Sequence, residues 1–259
     1  MFCLLYTSYN SYAKRHHRWL RGDWQLLPWL FPKVKDAAGN TVENPLNFLS
    51  RWKIFDNLRR SMLPVAHFLM MLPFAGGFSL IALLSLLFPV LAQLFDDFLQ
   101  KTYRNIKTKS YVTIVRGVWG AAAQSFMLIM LLPYEAYLAL DAAIRALYRT
   151  LGSGKNSLEW VTAADSEKAQ KNSVRAYYGM MAVNVAAGLF AAWLAPWVGA
   201  WLLWGILLGA LWVISPYLAY LTGMPFEVRK SHASKEEILY LRKLAPVSYT
   251  HLDVYKRQA

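Results

Sequence analysis

Two long apolar stretches restrict what this chain can fold into. Residues 61–95 and 174–221 contain only one Lys, Arg, Asp or Glu between them, Arg175. Each stretch is longer than the roughly 20 residues that one helix needs to cross a bilayer. Each also has a helix breaker near its middle, Pro73 and Pro196. The sequence therefore predicts two hairpins of transmembrane helices, about four crossings in all, with one long tilted helix as the alternative for the first stretch.

The charge of the chain is concentrated between these stretches. Lys and Arg number 28 against 15 Asp and Glu, a net charge of +13. A soluble protein this basic would be expected to bind nucleic acid. The apolar stretches favour a membrane protein instead, so the lipid bilayer is the expected partner and nucleic acid is not. Basic loops lie on the cytoplasmic side of a membrane. The predicted fold class is all-α, an integral membrane protein with helical hairpins and amphipathic interface helices.

Residues 117–141 are apolar but contain Gln124, Pro133, Glu135 and Asp141. If every basic loop is cytoplasmic, an even number of crossings separates each pair of loops. Two hairpins meet that condition, so residues 117–141 are predicted to lie against the inner interface or to re-enter it. The two carboxylates are expected to pair with Arg145 and Arg149.

The segment before the first hairpin combines aromatic rings with positive charge. Trp19, Trp24 and Trp29 give residues 9–31 an apolar side, and Lys and Arg residues give them a basic one. Tryptophan favours the membrane–water boundary. Two amphipathic interface helices are predicted, the second beginning near Pro45. His16 and His17 project about 100° apart on a helix and are not expected to share a metal ion.

A short motif in the first of these helices has a known parallel. Arg15-x-x-Arg18-Trp19 resembles the Q-x-x-R-W motif of processive, membrane-embedded glycosyltransferases. Over residues 14–245 the chain resembles the middle of a cyclic β-1,2-glucan synthase. Four blocks carry that resemblance in order: HRWLRGDWQLLPWL, NPLNFLSRWKIFDNLRRSMLP, LPYEAYLALDAAIRALYR and SLEWVTAADSEKAQ.

The resemblance implies roles for residues of the motif and its neighbourhood. Trp19 is expected to stack on the acceptor end of a growing glucan, and Arg18 to hold the diphosphate of UDP-glucose. The expected substrate-binding residues are Arg15, which replaces the usual Gln, with Arg18, Trp19, Asp23, Trp24 and Gln25. Plain interface packing is the alternative for Trp24 and Gln25. Asp23, a lone acid among arginines, is expected to have a depressed pKa.

The rest of the active site is expected outside this chain. The sequence contains no D-x-D, so the catalytic base, the carboxylates that hold Mg²⁺ or Mn²⁺, and the bound metal are expected upstream. No catalytic or metal-binding residue is assigned here, and the segment alone is expected to be inactive. The resemblance places it in a bacterial inner membrane. The alternative function is a membrane scaffold or glucan-export module without catalysis, although the hairpins offer few polar residues beyond His67, Ser79, Asn184 and Ser215.

The expected organisation follows from these assignments. Both ends resemble translated sequencing-adapter DNA and are expected to be foreign. The predicted divisions are a foreign end at 1–8, the edge of a glycosyltransferase domain with interface helices at 9–60, a first transmembrane hairpin at 61–95, a cytoplasmic or interfacial helical region at 96–173, a second transmembrane hairpin at 174–221, a linker towards a phosphorylase-like domain at 222–246, and a foreign end at 247–259.

Overall fold

A computed structural model describes residues 8–35, 39–103, 110–153 and 173–224. The block that begins SLEW, residues 1–7 of the foreign-looking end at 1–8, residues 225–246 of the predicted linker at 222–246 and the foreign-looking end at 247–259 lie outside these residues. The regular elements, in chain order, are α1 (Tyr9–Gln25), β1 (Lys33–Lys35), β2 (Thr41–Glu43), α2 (Phe48–Ser61), α3 (Leu63–Met71), α4 (Phe78–Tyr103), α5 (Ser110–Leu147), α6 (Val174–Met180), α7 (Ala182–Leu194) and α8 (Leu202–Thr222).

Side-chain caps define where the two predicted interface helices begin. The Ser8 hydroxyl accepts a hydrogen bond from the Ser11 amide at the start of α1. The Asn47 side chain accepts one from the Ser50 amide, 2.8 Å away, at the start of α2. Each cap satisfies an amide that has no partner within its helix. Both helices therefore form where the sequence predicts them, although α2 begins three residues after Pro45.

A short β-hairpin connects the two interface helices. Strands β1 and β2 pair antiparallel with Val34 opposite Val42, and Gly39, two residues before β2, takes a positive φ of 87°. The Asn44 amide donates to the Trp29 and Phe31 carbonyls over 2.7 and 2.8 Å. The all-α prediction did not include this hairpin.

Four helical segments are long and apolar enough to cross a membrane: Phe78–Asp96, Gly117–Thr150, Ala182–Gly199 and Leu202–Thr222. The predicted class, an all-α membrane protein with about four transmembrane helices, is confirmed. The set of helices differs from the expectation. Helix α3 has nine residues, about 14 Å at 1.5 Å per residue, so the stretch 61–95 supplies one helix of sufficient length. Residues 117–141 belong to a 38-residue helix that supplies another.

Side chains donate to the backbone carbonyls that Pro133 and Pro216 leave without a helical partner. Pro133 has no amide hydrogen, so the carbonyl of Ile129 loses its helical partner. The indole N–H of Trp212 on α8 donates to that carbonyl over 3.0 Å. Pro216 frees the Trp212 carbonyl in the same way, and the Ser215 hydroxyl donates to it over 2.7 Å. The long helices therefore continue through their prolines without leaving these acceptors unpaired.

Asn184 on α7 joins the two proline sites. Its side-chain amide donates to the Met130 carbonyl on α5 over 3.1 Å and to the Ser215 hydroxyl on α8 over 2.6 Å. Both Asn184 and Ser215 are fully buried. Such bonds fix helix positions in an apolar environment, where an unpaired polar group is costly.

Glycines let α7 and α8 approach closely. A Cβ atom at Gly209 would lie 2.7 Å from the Gly188 carbonyl oxygen, and one at Gly188 would lie 2.6 Å from the Gly209 carbonyl oxygen. At Gly205 a Cβ would meet Ala195 at 2.6 Å. Gly205 and Gly209 form a G-x-x-x-G pattern, which is typical of tightly packed membrane helices. The second hairpin is therefore closed by backbone contact.

The segment 61–95 also folds back on itself. The His67 ring lies 3.0 Å from the Ser85 hydroxyl across α3 and α4, and the Ser79 hydroxyl donates to the Met70 carbonyl over 2.9 Å. The indole N–H of Trp204 on α8 donates to the Met71 carbonyl, which lies at the end of α3, over 3.1 Å. The predicted break near Pro73 is present, with a short and a long helix on its two sides.

Candidate functional site

Helix α1, which carries the Arg15-x-x-Arg18-Trp19 motif, is attached to α5 by two carboxylates. The Tyr9 hydroxyl donates to Glu135 over 2.8 Å, and His16 lies 3.6 Å from the same carboxylate. One residue further along α1, His17 lies 2.8 Å from Asp141. These contacts give the adjacent histidines two separate partners, six residues apart on α5.

An apolar contact accompanies these polar ones. Ala13 packs with residues of α5 and α6, and Leu20 packs with Ala139 and Ala142 of α5, all of them buried. Asp141 also pairs with Arg145 at 2.7 Å, as the sequence predicted. The other carboxylate, Glu135, contacts Tyr9 and His16 instead of acting only within its own helix.

Burial affects the titration of the α1 side of this contact. It lowers the pKa of His17 below its ordinary value of 6.5, an effect that the hydrogen bond to Asp141 opposes and that Arg21 and Arg145 reinforce. His17 is therefore mainly neutral at pH 7, and its ring makes a hydrogen bond to the Asp141 carboxylate rather than a full ion pair.

The motif residue Trp19 is exposed on the surface of α1. Trp19 is 59% exposed, whereas the next residue, Leu20, is 5% exposed and faces α5. Arg15 and Arg18 are half-buried. Arg15 lies one turn before Trp19, and Arg18 directly precedes it. Residues four apart share a helix face, so Arg15 and Trp19 lie side by side. Arg15 and Trp19 are thus neighbours on the surface of a helix whose α5-facing side is fixed, whereas Arg18 projects about 100° away from Trp19.

The remaining predicted site residues have different surroundings. The indole N–H of Trp24 donates to the Ser61 hydroxyl over 3.0 Å, which ties α1 to the end of α2. Gln25 is the half-buried last residue of α1. The contact of Trp24 agrees with the packing alternative for that residue.

Asp23 lines a cleft between α1, α2 and α3. The cleft has a volume of about 260 Å³ and is lined by His16, Leu20, Asp23, Asn57, Arg60, Ser61 and Pro64. The Asn57 amide donates to the Asp23 carboxylate over 3.5 Å, and the Arg60 guanidinium donates to the Asn57 side-chain oxygen over 2.6 Å. Sequence reasoning missed Asn57 and Arg60; their spacing of three residues places them on one helix face but does not identify α1 as its neighbour.

The environment of Asp23 corrects the expected depressed pKa. Burial raises the pKa of Asp23, and the opposing effects of the Asn57 hydrogen bond and the Arg60 charge are smaller. The expectation was wrong because counting the neighbouring arginines along the chain ignores the loss of water at the carboxylate. Within the described residues, no group of three or more His, Cys, Asp or Glu side chains could hold a metal ion.

The fold and this polar face define a class, a helical membrane protein with an arginine–tryptophan helix beside its apolar helices. No family model matches the chain. In an alignment of 258 positions that covers 95% of the chain, it is 30% identical to the cyclic β-(1,2)-glucan synthase NdvB of Rhizobium meliloti (strain 1021). The resemblance expected from the four sequence blocks is confirmed. The matched part is 9% of the length of that relative.

Proposed function

We propose that the chain is the membrane region of a UDP-glucose-dependent glycosyltransferase that makes cyclic β-1,2-glucan, and that α1 supplies the acceptor side of its active site. The observation that carries this proposal is Trp19, a large exposed ring on a helix whose α5-facing side is buried and hydrogen-bonded. An indole face binds the C–H face of a glucose ring by apolar contact. Trp19 is therefore assigned to the acceptor glucan.

Arg18 and Arg15 are assigned to the diphosphate of UDP-glucose. Guanidinium groups bind phosphate oxygens through paired, charge-assisted hydrogen bonds. The attachment of α1 to α5 and α2 holds these side chains in position, which reduces the entropy lost when substrate binds. The catalytic base and the Mg²⁺ or Mn²⁺ ion belong to other parts of the enzyme, and the basic loops face the cytoplasm of a bacterial inner membrane.

The alternative, an export module, receives little support from the polar residues of the apolar helices. Ser79, Asn184 and Ser215 are buried and use their donors on carbonyls or hydroxyls of the protein. A permeation path needs polar groups that face water. These side chains instead connect helices, which agrees with an anchoring role.

Substitution of Trp19 in the complete synthase tests the proposal. Removing a stacking ring costs about 1–3 kcal/mol, or roughly 5–150-fold in binding, so Trp19→Ala should reduce elongation from UDP-glucose by that amount. Trp197→Ala is the matched control, because Trp197 is even more exposed but lies between α7 and α8. Equal elongation by wild type and Trp19→Ala, with both inserted in the membrane, would exclude the acceptor role.

A further inference from the structure

We propose that the cleft between α1, α2 and α3 binds a second, neutral glycosyl unit of the glucan, beside the unit on Trp19. This inference rests on the proposed function and extends it to residues outside the motif. It assigns ligand contacts to His16, Asn57 and Arg60 as well as to Asp23, all of which line the cleft.

The chemistry of the lining suits a sugar. The Asp23 carboxylate accepts hydrogen bonds, the Arg60 guanidinium donates them, and the Asn57 amide and His16 ring can do both. Leu20 and Pro64 add apolar surface to the same cleft. A glucosyl unit carries hydroxyls that donate and accept, together with an apolar C–H face. A small cleft with a few converging polar groups and apolar walls is the usual form of such a site.

The charges in the cleft argue against an ionic ligand. An anion that pairs with Arg60 meets the Asp23 carboxylate, and a cation that pairs with Asp23 meets Arg60. A neutral ligand avoids both repulsions and can use both charged groups as hydrogen-bond partners. The charge-assisted bonds that result are stronger than bonds between neutral groups.

The cleft groups are already oriented before a ligand binds. Arg60 donates to the Asn57 oxygen over 2.6 Å and pairs with Asp56 at 3.0 Å. The bond from Asn57 to Asp23 is long, 3.5 Å, and therefore weak. A sugar hydroxyl can replace this bond at small cost, donating to Asp23 while accepting from the Asn57 amide.

The cleft adjoins the exposed ring of Trp19. On α1, His16 lies three residues before Trp19 and Asp23 lies four residues after it, so both are neighbours of Trp19 on the helix surface. Leu20, the next residue, forms part of the cleft itself. Consecutive units of one glucan chain can therefore occupy the Trp19 ring and the cleft.

The test uses the full 259-residue chain in phosphatidylcholine nanodiscs. Binding of linear β-1,2-gluco-oligosaccharides to it is measured by isothermal titration calorimetry. Arg60→Gln should weaken binding about tenfold, the loss of one charge-assisted hydrogen bond. Arg59→Gln is the matched control: Arg59 also pairs with Asp56 and is similarly exposed, but it is not among the cleft residues. Asp23→Asn, which keeps the side-chain shape, should weaken binding to a similar extent.

The outcomes separate this inference from the proposed function. Weakening by Arg60→Gln and Asp23→Asn, with Arg59→Gln like wild type, supports the cleft. Binding that is lost in Trp19→Ala but unchanged in both cleft variants would overturn the cleft and leave the proposed function intact. The cleft proposal would also be overturned if the wild-type chain bound no oligosaccharide, or if the chain bound inorganic phosphate in a way that depends on Arg60. Elongation by the Trp19→Ala synthase tests the proposed function independently.

Discussion

Pro133 removes a backbone hydrogen bond to the Ile129 carbonyl, and the indole N–H of Trp212 donates to that carbonyl instead. The contribution of this side-chain hydrogen bond to the free energy of unfolding can be measured. The two groups meet over 3.0 Å between Trp212 Nε1 and the Ile129 oxygen. Trp212→Phe keeps an aromatic ring against Phe68, whose ring centroid lies 5.5 Å away, but removes the donor. An unsatisfied buried carbonyl costs about 1–3 kcal/mol, and side-chain bonds in membrane proteins average about 0.6 and reach about 1.7 kcal/mol. We expect a loss of about 1–2 kcal/mol.

A double-mutant cycle isolates this bond. In Pro133→Ala the new amide at position 133 can donate to the Ile129 carbonyl, so Trp212→Phe should cost about 1 kcal/mol less in that background. The assay is unfolding of the chain by SDS in mixed micelles, monitored by far-UV circular dichroism. Trp204→Phe, which removes a donor to Met71 instead, is the control and should be additive with Pro133→Ala. Equal costs of Trp212→Phe in the two backgrounds would refute the reasoning.

Two further predictions concern stability. Gly209→Ala places a Cβ atom 2.7 Å from the Gly188 oxygen and should destabilise the chain by about 1–3 kcal/mol in the same unfolding assay. Gly179→Ala is the control, because Gly179 has open space around it, and it should not destabilise the chain. Equal effects of the two substitutions would contradict the backbone contact between α7 and α8. Burial lowers the pKa of His17 below its ordinary value of 6.5. The unfolded chain therefore binds more protons than the folded chain near this pH, so the contact between α1 and α5 should weaken as pH falls below 6.5. His17→Gln should reduce that dependence, and an unchanged slope would exclude His17 as its source.

The sequence identified helix α1 because its signal is local. Alternation of tryptophan, leucine and arginine at helical spacing predicts an amphipathic helix, and the block order around it predicted the similarity to a glucan synthase, which the comparison with NdvB confirms. The surroundings of Asp23 were not predictable in the same way. They depend on Asn57, which is 34 residues away and belongs to another helix.

Residues 117–141, which loop charge predicts to lie against the inner interface or to re-enter it, belong to a helix that is also long and apolar enough to cross a membrane. Glu135, Asp141 and Pro133 are the features of this segment that are costly in lipid. In the structure, Tyr9 and His17 of α1 contact the two carboxylates, and Trp212 satisfies the carbonyl freed by the proline. A polar group in a long helix is compatible with a membrane when a neighbouring helix supplies its partner.

The sequence by itself determined the helical membrane class and the break near Pro73. Both follow from apolar length and helix breakers, which are properties of a continuous stretch of chain. Only the tertiary structure decided which helices are long enough to cross, which face of α1 remains exposed, and which groups line the cleft beside Trp19. Those features depend on hydrogen bonds such as that between His17 and Asp141, 124 residues apart, which form only when separate helices pack together.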